Sequence, residues 1–272
     1  RRAGAQVQWI HPNSNGVVSV ADFEEALGND TALCSLMWVN NETGASQPVP
    51  DVSRLCRQRG ILFHSDAVQA VGRVEATTRD APASFLSFSS HKLGGPPGAG
   101  VLLVDRQVPT QNLIAGHQEQ GRRGGTVNVA SCDAMSLAVA LSVAELEAQV
   151  QRLTNLQARF EYQVAQRLPD VCVNAANAQR TSSISNIQFT GVDGEALLIA
   201  LDLDGICISA GAACSSGTLK PSHVLTAMGL SPRQAQASLR FSMGHSTTEA
   251  EVEAVVEALV RHVPRLRSED AL

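Results

Sequence analysis

The sequence predicts an α/β fold with two packed domains, a larger one over residues 1–150 and a smaller α+β one over residues 151–272. Short apolar runs alternate with amphipathic stretches through the first half, the pattern of a mostly parallel sheet crossed by helices. A breaker-poor helical stretch then runs from 127 to 168 and ends at Pro169. Beyond it, strand and helix patterns resume on a smaller scale. In order, residues 6–10 and 32–39 read as strands, with a short helix at 20–27 between them. Residues 51–59 read as a helix that begins after Pro50, with Gly60 as its C′ residue. Residues 61–64, 84–89 and 101–104 are strands, and a parallel sheet places ligands at the carboxyl ends of its strands. In the second half, 183–189 and 238–242 are strands and 195–203 is an apolar helix. In the last helix, Ser246 and Glu249 have capping-box spacing, and Val252, Val255, Val256, Leu259 and Val260 form one apolar stripe.

Composition narrows the function classes. Charged residues make up 17% and hydrophobic ones 44%, which excludes a disordered chain; with 4% aromatics the core must come from Ala, Val, Leu and Ile. A net charge of −5 offers no basic face for nucleic acid, and no apolar run approaches the roughly 18–20 residues of a membrane span. Arg1-Arg2 leads into no export signal, so the expected compartment is cytoplasmic. The six cysteines, Cys34, Cys56, Cys132, Cys172, Cys207 and Cys214, form no CxxC pair, so neither a disulfide scaffold nor a metal site is expected.

Four segments carry chemistry. Asp66, in His64-Ser65-Asp66-Ala67-Val68-Gln69, follows an apolar strand; it reads either as a ligand at the sheet's carboxyl edge or as a helix N-cap. In Ser89-Ser90-His91-Lys92-Leu93-Gly94-Gly95, a lysine sits between a strand and a Gly/Pro-rich loop, beside donors suited to an anion. It is a candidate Schiff-base nucleophile or an exposed surface lysine; Lys92 and Lys220 are the chain's two lysines. Cys207 lies in an apolar run and reads as core, whereas Cys214 lies among Ser, Ala and Gly, where a thiol is accessible and reads either as reactive or as an incidental loop thiol. Arg240, inside the apolar run 238–242, needs an anionic partner, either a substrate carboxylate or an internal Asp or Glu.

Taken together, Asn40-Asn41-Glu42-Thr43-Gly44, His64 to Gln69, Ser89-Ser90-His91-Lys92, Gly124-Gly125-Thr126, Cys214-Ser215-Ser216-Gly217 and Arg240-Phe241-Ser242 resemble the cysteine desulfurases of the NifS/IscS type, in the class-V aminotransferase group of fold type I pyridoxal 5'-phosphate (PLP) enzymes. The resemblance covers essentially the whole chain. It implies that Lys92 carries the PLP and shuttles protons, that Asp66 pairs with the pyridinium nitrogen, and that Gln69 bonds the phenolic oxygen. It also implies Asn41 near the ring and the bound amino acid, Ser89 and His91 on the phosphate, and Thr126 on the phosphate of a neighbouring subunit in a homodimer. Arg240 would clamp the carboxylate of L-cysteine. Cys214 would take its sulfur as a persulfide, release L-alanine, and pass the sulfur to an acceptor such as an iron–sulfur scaffold protein.

Ala212-Ala213, where one subgroup has a histidine pair, resembles the subgroup that hands sulfur to proteins. Residues 115–123 loosen the family's glycine-rich run, and His245 stands where arginine is common. The family's N-terminal segment, with its phosphate loop and ring-stacking histidine, has no counterpart before residues 1–10; the sequence reads as an N-terminally shortened chain. A selenocysteine lyase of the same fold, or a non-catalytic sulfur-relay or scaffold chain, is the alternative.

Overall fold

A computed structural model of the protein describes residues 4–211 and 221–269. Its elements are α1 (Val20–Ala26), β1 (Leu33–Met37), α2 (Val49–Gln58), β2 (Leu62–Asp66), β3 (Phe85–Ser89), β4 (Gly100–Val104), α3 (Val129–Ala144), α4 (Leu146–Arg167), β5 (Val171–Val173), β6 (Ile184–Phe189), α5 (Gly194–Leu203), α6 (His223–Ala227), α7 (Pro232–Gln236), β7 (Ser238–Ser242) and α8 (Glu249–Glu269). They fall into two compact units. One comprises Leu27–Trp38 and Pro48–Leu146; the other takes in the chain up to Ala26, Val39–Gln47, and the chain from Glu147 on.

The first unit holds a four-stranded sheet in the order β1-β2-β3-β4, in which β1, β2 and β3 are parallel and β4 is antiparallel to β3. The period-2 alternation of side chains sorts its residues by face. Cys34, Leu36, Phe63, Ser65 and Leu86 are buried, whereas Ser35, Met37 and Asp66 stand exposed. Helix α2 packs on β1 and β2 with Val49, Val52 and Cys56 inward, a spacing of one helical face. It starts with Pro50 in its first turn and closes at Gly60, whose φ of +68° suits a residue without a Cβ. Cys56 meets Cys34 of β1, and that hydrogen bond together with burial holds the Cys34 thiol protonated. These two thiols are core. Cys132, Cys172 and Cys207 are exposed, against the expectation that Cys207 is buried.

The helical stretch after residue 127 is two helices rather than one, broken at Glu145. Asn128 caps α3, its Oδ1 accepting from the Ser131 N–H at 3.2 Å. Val129, Leu137, Leu141 and Val143 of α3, with Leu102 and Leu103 of β4, stand exposed. Residues 6–10 alternate like a strand but form none. Their backbone groups find no ladder among the described residues, and without a paired neighbour an alternating run does not become a strand.

In the second unit β5, β6 and β7 form an antiparallel sheet in that order. Every residue of the central strand β6 is buried, because α4, α5 and α8 supply a continuous core around the sheet. Phe241 is its hub, with its ring 5.0 Å from Phe160 and 6.2 Å from Phe189. The polar residues on β6 are satisfied: Ser185 Oγ donates to Glu161 at 2.7 Å, Glu161 takes both arms of Arg180 at 2.8 Å, and Asn186 Oδ1 accepts from Asn174 at 2.7 Å. Strand β5, three residues long, carries too short a pattern to be read in sequence.

The α8 capping box is shifted from the expected pair. Thr248 and Glu251 form it, each backbone N–H donating to the other's side chain, at 2.7 and 3.2 Å. Glu249 instead points outward to Arg159, in a ladder with Glu253 and with the Arg167–Glu257 pair that joins α4 to α8. No single helix among the described residues is long and apolar enough to cross a membrane.

Phe241→Ala should lower the unfolding free energy by about 3–5 kcal/mol through lost burial and a residual cavity. Arg167→Ala, at a half-exposed ion pair, should change it by less than about 1 kcal/mol; denaturant midpoints at unchanged slope compare the two. Acid should act on Asp204, which takes hydrogen bonds from His262 Nε2 and Arg261, each at 2.6 Å. The bond from His262, then that from Arg261, holds its carboxyl below the usual carboxylate range. A folded-state pKa below the unfolded one contributes stability above the unfolded value and loses it as pH falls through the folded value. Melting temperatures taken across the acid range should therefore fall less steeply for Asp204→Asn than for the parent.

Candidate active site

Parallel pairing brings the carboxyl ends of β2 and β3 side by side, with Asp66 in register with Ser87. Asp66 is the last residue of β2 and exposed; its Oδ1 accepts from the Val68 N–H at 2.9 Å. It therefore caps the following turn, which holds the half-buried Gln69, and still presents its carboxylate at the sheet edge. Ser89 ends β3, and the chain turns directly into a 3-10 turn, Ser90–Leu93. There Ser89 Oγ and His91 Nδ1 lie 2.7 Å apart, with His91 and Lys92 exposed. Gly94 closes the turn with φ +82°, and a Cβ on Gly95 would fall 2.3 Å from Ser90 Oγ, so both glycines are required. Arg73 Nη2 donates to the Lys92 carbonyl at 2.6 Å, anchoring the turn from the Gln69 side. Asp66, Gln69, Ser89, His91 and Lys92 thus come from two adjacent strand ends. Thr126, exposed ahead of α3, hydrogen-bonds to none of them.

One residue on this face escaped the sequence reading. His64, two positions before Asp66 and so on the same face of β2, lies between Ser35 of β1 and Ser87 of β3. Its Nδ1 is 2.8 Å from Ser35 Oγ and its Nε2 is 3.1 Å from Ser87 Oγ. The ring ties three strands together directly beneath the Asp66 edge. The signal was its spacing from Asp66 in a strand, which places both side chains on the open face.

Arg240 and Asn41 meet in the second unit. Arg240 Nη1 donates to the Asn41 carbonyl at 2.9 Å and Nη2 to Ser209 Oγ at 3.1 Å, while Nε is buried without a partner. The backbones of Ser209 and Arg240 exchange hydrogen bonds of 3.1 and 2.7 Å. No carboxylate among the described residues forms an ion pair with Arg240, so the internal salt bridge entertained from sequence is absent there. Burial lowers its pKa, and the nearby charge of Glu42 opposes that shift. A guanidinium held by neutral acceptors retains the capacity to bind an external anion. Cys214 lies outside the described residues.

The aminotransferase class-V family matches residues 1–255. The chain belongs to that family. It is 40% identical over 266 residues to a cysteine desulfurase from a Nostoc species, covering 97% of this chain and 66% of that one. An IscS-like cysteine desulfurase from Mycobacterium tuberculosis is 41% identical over 268 residues, covering 97% of this chain and 68% of its own. Among solved structures, a NifS-like protein superposes with a TM-score of 0.89 at 29% identity, covering 97% of this chain and 70% of its own. A NifS-like protein from Rickettsia africae gives a TM-score of 0.85 at 29% identity, with 94% and 69% covered. The chain therefore spans about two thirds of the length of the relatives it matches. The architecture is that of the fold type I PLP-dependent transferases, with a larger mixed sheet and a smaller antiparallel one.

The donor set fits PLP. An exposed carboxylate, an exposed primary amine and a Ser–His pair suited to phosphate share one sheet edge, and Gly94 leaves open space close to the lysine.

Replacing His64 by Phe keeps the ring's bulk but removes both serine bonds. The expected loss is about 1–2 kcal/mol of stability in the first unit. Amide exchange in β1, β2 and β3 measures it, and unchanged protection there would show that the histidine does not tie the strands.

Proposed function

We propose that the protein is a PLP-dependent cysteine desulfurase that converts L-cysteine to L-alanine and leaves the sulfur as a persulfide on Cys214. The observation that carries this reading is the placement of Lys92 and Asp66 at adjacent ends of parallel strands, beside the Ser89–His91 pair. Lys92 would hold the cofactor's aldehyde carbon, Asp66 its ring nitrogen, Gln69 its phenolic oxygen, and Ser89 and His91 its phosphate. Asn41 would lie against the ring and the amino acid, and Thr126 would serve the phosphate of a second subunit. When bound, PLP supplies the electron sink that weakens the substrate's carbon–sulfur bond.

The protein's own groups do the rest. Arg240, with no carboxylate paired to it among the described residues, binds the substrate carboxylate and fixes its orientation. Lys92, a primary amine at the sheet edge, moves protons to and from the substrate carbons. Cys214 attacks the substrate sulfur. A sulfur–sulfur bond forms as the carbon–sulfur bond breaks, and the substrate carbon gains a proton, so L-cysteine and one thiol become L-alanine and one persulfide. The exposed apolar side chains of α3 and β4 suit a subunit interface, which favours a homodimer. The persulfide passes to a sulfur acceptor such as an iron–sulfur scaffold protein, and the setting is cytoplasmic. The similarity to a cysteine desulfurase and to a NifS-like protein supports the same reading.

Purified protein should bind added PLP with a visible absorbance band and release sulfide from L-cysteine in the presence of a thiol reductant. Lys92→Ala should abolish the band and the activity. Cys214→Ser should keep the band and lower sulfide release by about 100-fold or more. Arg240→Met should raise KM for L-cysteine by about 10- to 100-fold. Turnover of selenocysteine without turnover of cysteine would instead assign a selenocysteine lyase, and no band with added PLP would assign a non-catalytic chain.

A further inference from the structure

Glu42 is a buried carboxylate, 1% exposed, that the chemistry above leaves without a task. Its backbone is fixed on both sides: its N–H donates to Asn40 Oδ1 at 2.9 Å, and its carbonyl accepts from Asn186 Nδ2 at 3.1 Å. Its side-chain Oε2 accepts from Ser222 Oγ at 2.5 Å. Ser222 is the N-cap of α6, where its hydroxyl also accepts from the Val224 and Leu225 N–H groups. Gly211, with φ +63°, lies next to the same oxygen. A Cβ built there would lie 3.7 Å from Glu42 Oε2 and 3.6 Å from Ser222 Cβ.

Gly211 and Ser222 lie on either side of residues 212–220, which include Cys214. They therefore converge on one buried carboxylate. The same cluster reaches the candidate substrate clamp. Two residues before Gly211, Ser209 accepts from Arg240 through its hydroxyl, and Arg240 in turn donates to the carbonyl of Asn41, the neighbour of Glu42. A carboxylate is costly to bury and is retained where it forms strong, charge-assisted hydrogen bonds.

We propose that Glu42 is a positioning residue for sulfur transfer. It holds Ser222 against Gly211 and so sets, relative to Arg240, the two points between which the chain carrying Cys214 is strung. Fixing both ends of a segment limits where its thiol can be presented, and small displacements of a reacting group carry large rate penalties. The inference rests on the reading of Cys214 as the sulfur acceptor.

The test uses the PLP-loaded protein and two measurements resolved at Cys214 by mass spectrometry. One is persulfide formation with L-cysteine, giving kcat and KM; the other is alkylation by iodoacetamide without substrate. Glu42→Ala should lower kcat for persulfide formation by about 10- to 100-fold, with KM and the PLP band little changed. It should also change the alkylation rate by at least about 3-fold as the ends shift. Glu42→Gln, which keeps an acceptor for Ser222, should restore both rates to within about 3-fold of the parent. Should Glu42→Ala fail to fold, Ser222→Ala removes the same bond from the other partner. It should lower kcat for persulfide formation and change the alkylation rate to the extent expected of Glu42→Ala, in the parent and in the Glu42→Gln background alike. Parental kcat and alkylation rates in Glu42→Ala, or in Ser222→Ala where Glu42→Ala does not fold, would overturn the proposal. If the parent itself forms no persulfide from cysteine, the functional reading fails, and the alkylation rates alone still decide whether Glu42 positions Cys214.

Discussion

The parallel pairing of β2 with β3 governs where chemistry can occur in the first unit. Because both strands run the same way, their carboxyl ends open on one edge, and the register that sets Asp66 opposite Ser87 brings the exits of both strands level. Had β3 run antiparallel, its Ser89 end would have faced the opposite edge, away from Asp66. Burial of Phe63, Ser65 and Leu86 on the other face fixes this register, since a one-residue slip would turn Asp66 into the core and Ser65 outward. The core of this unit is thus what specifies its polar edge.

A related division holds in the second unit, where a dense apolar core surrounds a few polar residues that are placed individually. Phe160, Phe189 and Phe241 fill the space around β6 and β7, and Arg240 lies between Leu239 and Phe241 in the same strand. Alternation along β7 turns the arginine away from the phenylalanine core and toward Ser209 and Asn41. The strand that anchors the core therefore also holds the guanidinium at a fixed height, and Leu239 and Phe241 make that height insensitive to what the guanidinium binds.

Much of this was legible in the sequence because it rests on local signals. Asp66 after an apolar strand, Lys92 before a glycine pair and Arg240 inside an apolar run each announce themselves within a few residues. What was not legible depends on partners distant in the chain. His64 looks like an ordinary strand residue until Ser35 and Ser87 arrive from two other strands. Glu42 is one residue of a turn until Ser222, 180 positions later, donates to it. The apparent strand at 6–10 failed for the opposite reason, since its local pattern was sound but no neighbour supplies a ladder. Ser246 and Glu249 have the right spacing for a cap, yet Thr248 and Glu251 have it too, and the bond of Glu249 to Arg159 on α4 selects between them. Spacing proposes such features, and tertiary contact chooses among them.

The two clusters differ in what they require of their residues. At the β2–β3 edge Asp66, His91 and Lys92 are exposed, and only Ser89 and His91 bond to each other through their side chains, so most of the bonding capacity there stays available to a ligand. Around Glu42, itself buried, half-buried partners are linked in series: Ser222 bonds Glu42, the backbone joins Glu42 to Asn41, and Arg240 bonds the Asn41 carbonyl and Ser209. In a series of buried polar contacts, loss of one member leaves its neighbours unsatisfied, so effects spread along the chain of bonds. A group that binds a cofactor benefits from the first arrangement, because its bonding capacity must be free. A group that fixes the position of another segment benefits from the second, because a position shared among several partners is harder to displace. Under the proposed reading, the exposed Lys92 and the buried Glu42 thus stand at opposite ends of one physical distinction, the first a group that reacts and the second a group that places another.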